Sequence, residues 1–151
     1  EDRKGNQAVK IIDLFWMKKD GERADFLISG DPAVLCIKYK AKNYKAKKIR
    51  RFRVSVPIID AQGRIMTILN NKTRGVEFNN LSREGSVFCE IDRLPLTYGE
   101  FCMRVNCWVD GDLSDGTFNN LASFHVVAGD YYKSGFLSKY QGIHIQHNWK
   151  T

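Results

Sequence analysis

Residues 100–109, EFCMRVNCWV, alternate without a break. Phe101, Met103, Val105, Cys107 and Val109 occupy one parity, and Glu100, Cys102, Arg104, Asn106 and Trp108 the other. A strand points successive side chains to opposite faces, so this period of two calls for an extended segment with an oily face on a core and a polar face carrying a tryptophan. The run at 86–91 repeats the pattern with Val87, Cys89 and Ile91 on its oily side, and a loop centred on Pro95 and Gly99 joins the two. Both runs read as strands of an antiparallel sheet with one face on a core. The open face of the second, with Arg104, Asn106 and Trp108, is the first place to look for function.

The rest of the chain reads the same way. Residues 8–17 form an apolar-rich first strand, ended by the turn Lys19-Asp20-Gly21-Glu22. Phe26, Leu27 and Ile28 make a short edge piece before the turn Gly30-Asp31-Pro32. Residues 33–44 are a long strand with Leu35, Ile37 and Tyr39 on one side and Cys36, Lys38, Lys40 and Lys42 on the other. Across 51–59, Phe52, Val54, Val56 and Ile58 oppose Arg51, Arg53, Ser55 and Pro57. A hairpin turn at Asp60-Ala61-Gln62-Gly63 leads into a strand over 64–70. Residues 70–84 read as a loop with a short edge strand near Val76 to Phe78, and 110–120 as a polar loop. Residues 121–128 are a strand with Phe124 and Val126 inward, and IHIQHNW, 143–149, is a last alternating stretch. No segment of ten or more residues carries a helical period. Many short strands separated by turns predict an all-β fold, an antiparallel β-sandwich.

At 151 residues the chain suits one domain with a real core. No apolar run approaches the ~20 residues of a membrane-spanning helix, and no basic-then-apolar signal peptide opens the chain. The start on EDRKGNQ, without methionine, reads as a domain cut from a longer polypeptide, with residues 1–7 a linker remnant and 8–151 the sandwich. Cys36, Cys89, Cys102 and Cys107 show no CxxC pair and no zinc-ligand spacing, so they read as reduced structural thiols, which favours the cytoplasm. The net charge of +7 is local. Residues 38–53 hold nine lysines and arginines and no acid, and without them 15 basic residues face 17 acidic ones.

Catalysis finds no support in the sequence. His125, His144 and His147 lie in no catalytic or metal-binding motif, and on a strand His144 and His147 project to opposite faces. No serine or cysteine is marked as an activated nucleophile. No cofactor or metal is expected. The acidic stretch Asp110 to Gly116 lacks the alternating carboxylates and closing glutamate of an EF-hand and reads as a solvated turn. The basic run is open to several readings: nucleic-acid phosphates, a membrane surface, an acidic partner docked through a strand edge, or a lysine-rich edge that blocks unwanted sheet pairing. Base stacking would need aromatic rings on the charged face, whereas Tyr39 and Phe52 fall on the core side, so no nucleic-acid partner is expected. The polar strand faces make one chemical set: Arg53 and Ser55, then Arg104, Asn106 and Trp108, then His144, Gln146 and Asn148. Amide, guanidinium and imidazole groups fork hydrogen bonds to neighbouring hydroxyls, and an indole offers an apolar plate. A sugar ring presents the matching surface.

Taken in order, VKIIDLFWMKKDG, FLISGDPAVLCIKYKA, FRVSVPIIDAQGRIM, DRLPLTYGEFCMRVNCWVD, SFHVVAG and GIHIQHNW resemble the C-terminal domain of Wzt-type ATP-binding subunits of ABC transporters that export O-antigen polysaccharide. The likeness runs from about Val9 to Trp149. It implies an immunoglobulin-like β-sandwich that binds the exported polysaccharide without catalysing a reaction. It implies a homodimer in which the C-terminal strand, about 142–149, crosses to the partner's sheet. An ATPase domain would precede this chain in the same subunit and act with a membrane permease, at the cytoplasmic side of the inner membrane. The polar face would be the glycan site, with Arg104, Asn106 and Trp108 central. The basic run from Lys38 to Arg53 is heavier than the family pattern.

Overall fold

The computed structural model describes residues 3–151. Eleven strands follow in order: β1 (Arg3–Lys4), β2 (Val9–Met17), β3 (Leu27–Ile28), β4 (Ala33–Ala41), β5 (Arg53–Asp60), β6 (Ile65–Asn70), β7 (Glu84–Ile91), β8 (Gly99–Met103), β9 (Asn106–Val109), β10 (Asp112–Thr117) and β11 (Ala122–Val127). The described residues contain no helix, and so none long and apolar enough to cross a membrane. The strands make two sheets. One has the order β1-β10-β9-β5-β8-β11-β3 with β6 also paired to β5, and the other is β2-β4-β7. All pairs are antiparallel except β11 with the short β3. The fold is a β-sandwich, as the alternation and turns predict, and it is immunoglobulin-like, as the resemblance implies.

The alternating run at 100–109 is its spine. β8 and β9 are two halves of one extended segment, interrupted at Arg104 and Val105, and both pair with β5. Phe101, Met103, Val105, Cys107 and Val109 are all buried. They meet Leu35, Ile37 and Tyr39 of β4 and Val54, Val56 and Ile58 of β5 in one core cluster. β7 and β8, adjacent in sequence, belong to different sheets, so the connection through Pro95 crosses the sandwich rather than closing a hairpin.

β2 shows how a bulge corrects a pattern. Val9 and Ile11 face the core, and uninterrupted alternation would next bury Asp13. The register shifts between Ile11 and Asp13. Leu14 and Trp16 therefore turn inward, Ile12 is left half-exposed and Asp13 meets Arg23 at 3.1 Å.

Four expectations are corrected. Residues 110–120 are not a solvated loop: β10 pairs with β9 and β1, and Ser114 and Asp115 are fully buried. A bulge between Leu113 and Asp115 aims both side chains at β2 in the facing sheet. Residues 3–7 are part of the fold, not a linker tail, for Arg3 and Lys4 extend the sheet beside β10. At Gly5, with φ +91°, a Cβ would lie 2.6 Å from the Ser114 backbone, so the close approach needs glycine. Residues 1 and 2 of the expected linker lie outside the described residues. The stretch 143–149 is no sheet strand here, making a single bridge from Ile143 to Leu96, and 76–78 likewise contributes one bridge, Phe52 to Phe78.

β10 carries the main polar link between the sheets. Asp115 accepts from Ile11 N at 2.7 Å, from the Arg3 guanidinium at 2.9 Å and from Gln7 Nε2 at 3.2 Å. Ser114 Oγ accepts from Val9 N at 2.7 Å and donates to Val9 O at 2.8 Å. Burial, reinforced by the Asp115 carboxylate, pushes the neighbouring Cys107 thiol up to about 12, so it stays protonated and inert. All four cysteines are free. Asp115→Ala removes the buried acceptor of the Ile11 amide and one of the partners of Arg3. It is expected to lower unfolding free energy by about 3–5 kcal/mol, read as a fall in urea midpoint at unchanged slope.

Candidate functional site

The open face of the larger sheet is organised by register. Gly116 pairs with Asn106, Asn106 with Ser55, and Ser55 with Asn70, while Lys4 stands beside Gly116 on β1. Cross-strand partners share a face, so Lys4, Gly116, Asn106, Ser55 and Asn70 form one polar row across five strands. The adjoining row contains Leu113, Trp108 and Arg53. The structure thus brings together Arg53, Ser55, Asn106 and Trp108 from two strands distant in sequence.

Arg53 lies over Trp108, its guanidinium carbon 3.9 Å from the ring centroid, a separation suited to cation–π attraction. Arg53 Nε is shielded from solvent and has no hydrogen-bond partner, and so is Asn106 Oδ1. Asn106 owes its position to Gly116, where a Cβ would fall 2.3 Å from Oδ1. Arg104 turns away from this group, its Nε donating to Asn120 Oδ1 at 3.3 Å in the β10–β11 connection.

Beside Trp108 is a cavity of about 340 Å³ lined by Arg51, Arg53, Lys72, Glu77 and Phe78 among others. Its far wall is the 71–78 connection, pinned by Asn71. That side chain accepts from Val54 N at 2.8 Å and donates to Val76 O at 2.9 Å and Phe52 O at 3.2 Å. Its floor is the β9–β10 turn, where Asp110 holds Tyr44 OH at 3.1 Å and Arg51 Nε at 3.4 Å. The 71–78 wall escaped the sequence reading, because an asparagine that ties backbone to backbone has no periodic signature.

His144, Gln146 and Asn148 do not reach this face. The C-terminal segment lies against the β7–β8 connection: Thr97 N donates to Gly142 O at 3.1 Å and His144 N to Pro95 O at 2.6 Å. Thr97 and Trp108 stand at opposite ends of an extended run about 30 Å long. His144 instead stacks on Tyr131 at 4.7 Å, and desolvation lowers its pKa. Gln146 accepts from Arg93 at 2.9 Å, and Asn148 is exposed. His144 and His147 were expected on opposite faces of a strand, yet both rings meet Tyr132 edge-on at 5.2 Å because the segment is not pleated. His125 pairs with Glu100 elsewhere. Among the described residues no cluster is suited to a metal ion.

The basic run is no strand edge. β4 is the central strand of its sheet, and the charges are dispersed. Lys38 approaches Phe15 at 5.7 Å, Arg50 and Arg51 meet Asp110, and Arg53 covers Trp108.

These features define a class: an immunoglobulin-like β-sandwich with a polar, tryptophan-bearing sheet face beside a cavity. Among solved structures the chain is similar to one described as the C-terminal domain of Wzt, with TM-score 0.70 and 14% identity over 99% of this chain and 87% of that one. The likeness is one of fold, and it agrees with the order of motifs along the sequence. An alkylpurine DNA glycosylase of Pseudomonas fluorescens bound to abasic-site DNA aligns at TM-score 0.41 and 14% identity over 80% of this chain and 31% of that one, too loosely to bear on function. No family model matches the chain, and no curated protein matches it in sequence.

Gly116→Ala is expected to displace the Asn106 amide while leaving the buried face intact. The Asn106 side-chain NH₂ resonances should move in an amide NMR spectrum with core methyl shifts preserved, and an unmoved Asn106 would show that the row has slack.

Proposed function

We propose that this domain is a non-catalytic carbohydrate-binding module that recognises O-antigen polysaccharide as the export substrate of an ABC transporter. The observation that carries the reading is the Trp108 face. An indole plate stands beside a cavity, flanked by guanidinium and amide groups whose hydrogen-bonding capacity the protein leaves unused. The plate suits the C–H face of a sugar, and the free groups suit its hydroxyls. The fold shared with the C-terminal domain of Wzt and the motifs along the chain support the transporter setting. In that setting the ATPase domain of the same subunit and a membrane permease are the partners, at the cytoplasmic side of the inner membrane. Arg53, Ser55, Asn106 and Trp108 form the proposed contact set, with Arg104 at its margin. His144, Gln146 and Asn148 would join it only through a second copy of the chain.

The test is titration with O-polysaccharide from the source strain beside an unrelated one. Saturable binding to the cognate glycan is expected. Trp108→Ala should weaken it by about 1–3 kcal/mol, the scale of one buried aromatic contact, without changing the thermal midpoint. Equal affinity in the folded variant would remove Trp108 from the site.

The proposal includes a homodimer with exchanged C-terminal strands. Its support is exposed apolar surface on both sides of such a contact. Phe136, Tyr140, Ile145 and Trp149 are 83%, 81%, 64% and 89% exposed in the C-terminal segment. At the open edge between β6 and β7, the exposed Ile68 and Phe88 line a groove of about 370 Å³. Deleting residues 142–151 is expected to convert a sedimenting dimer to a monomer, and a truncated chain that remains a dimer would count against exchange.

A further inference from the structure

Building on the carbohydrate reading, we infer that the cavity beside Trp108 receives an anionic substituent of the glycan, a carboxylate or phosphate ester carried on a sugar ring. The cavity is lined by three cations, Arg51, Arg53 and Lys72, and one carboxylate, Glu77. Arg51 is held by Asp110 at 3.4 Å, and Glu77 keeps its charge while accepting from the neutral Asn79 Nδ2 at 3.2 Å, so the three cations still outnumber the one carboxylate of the lining. Arg53 and Lys72 form no ion pair with any described residue.

The unpaired Arg53 is the telling group. It is half-buried, and its Nε is out of reach of solvent with no acceptor. Withdrawing a guanidinium from water without a counter-charge is unfavourable. Stacking on Trp108 offsets part of that cost but supplies no oxygen for its N–H groups. An oxyanion in the cavity would meet the terminal nitrogens of the guanidinium, which are not shielded as Nε is, and the planar fork matches a carboxylate or phosphate in two parallel hydrogen bonds. Lys72, on the opposite wall, adds a second positive charge from the 71–78 connection that Asn71 anchors.

The neighbouring indole narrows the ligand further. A free inorganic anion has no use for an apolar plate, and a neutral sugar leaves Arg53 unpaired. A sugar bearing the anion satisfies both at once. A nucleic-acid backbone fits less well, because the charges surround one cavity rather than a continuous track.

The experiment titrates the chain with O-polysaccharide from the source strain in three forms: native, carboxyl-reduced with carbodiimide and borohydride, and dephosphorylated with aqueous hydrogen fluoride. One of the two treatments is expected to weaken binding by about 10-fold or more, as for loss of a charge-assisted hydrogen bond. Loss on carboxyl reduction identifies a uronic acid, and loss on dephosphorylation a phosphate ester. Arg53→Gln and the solvent-exposed Lys72→Gln should each weaken the native glycan and add little further loss for the treated one, with thermal melting verifying the fold. If both treated glycans bind as the native one does, the anionic assignment is overturned while carbohydrate binding stands. If the native glycan fails to bind the folded chain, the carbohydrate reading falls and this inference with it.

Discussion

The sandwich depends on how one sheet edge is closed. β2 is an edge strand, and the main-chain groups of Val9 and Ile11 face away from β4 with no strand to pair them. Side chains from the opposite sheet do so instead: Ser114 takes both groups of Val9, Asp115 takes Ile11 N and Arg3 takes Ile11 O. A buried carboxylate is tolerated here because two backbone amides, Gln7 and Arg3 donate to it, and a partly buried arginine because the carboxylate is there. The arrangement needs the β10 bulge, which turns consecutive residues inward, and needs the N-terminal residues to run beside β10. The two sheets are thereby locked at one side and left apart at the other, between β6 and β7.

That asymmetry also positions the candidate site. β10 can cap β2 only by pairing with β9, and this pairing lays Gly116 beside Asn106 and Leu113 beside Trp108. The open face therefore inherits its order from a constraint on the buried side. Arg53 reaches Trp108 because the β5–β9 register that places them together is the same one that carries Val54 and Cys107 into the core.

Local pattern revealed those parts of the fold in which side-chain parity and burial coincide. Residues 100–109 alternate cleanly, and 33–41 do so except at Cys36, which is buried on the opposite parity; the core contains the residues their parity indicates. Asp110 to Thr117 misled for a physical reason. Its polar residues resemble a turn because polarity ordinarily means solvent, whereas Ser114 and Asp115 are buried against backbone groups more than 100 residues away in the chain. The final segment misled in the opposite sense, since IHIQHNW has strand parity but no described sheet edge beside it. The grouping of Arg53, Ser55, Asn106 and Trp108 was legible as parity, and the exclusion of His144, Gln146 and Asn148 was not, because parity says nothing about which end of a sheet a segment reaches.

Sequence by itself determined that this chain is all-β, which faces of its longer strands are buried, and that Trp108 stands on a polar face. These follow from alternation, a property of neighbouring residues. Tertiary structure decided that β7 and β8 separate into different sheets, that the basic run disperses, and that Arg53 lies unpaired over Trp108 beside a cavity. Those depend on register and on contacts between residues remote in the chain, where free energy is set by what each group meets and not by what precedes it.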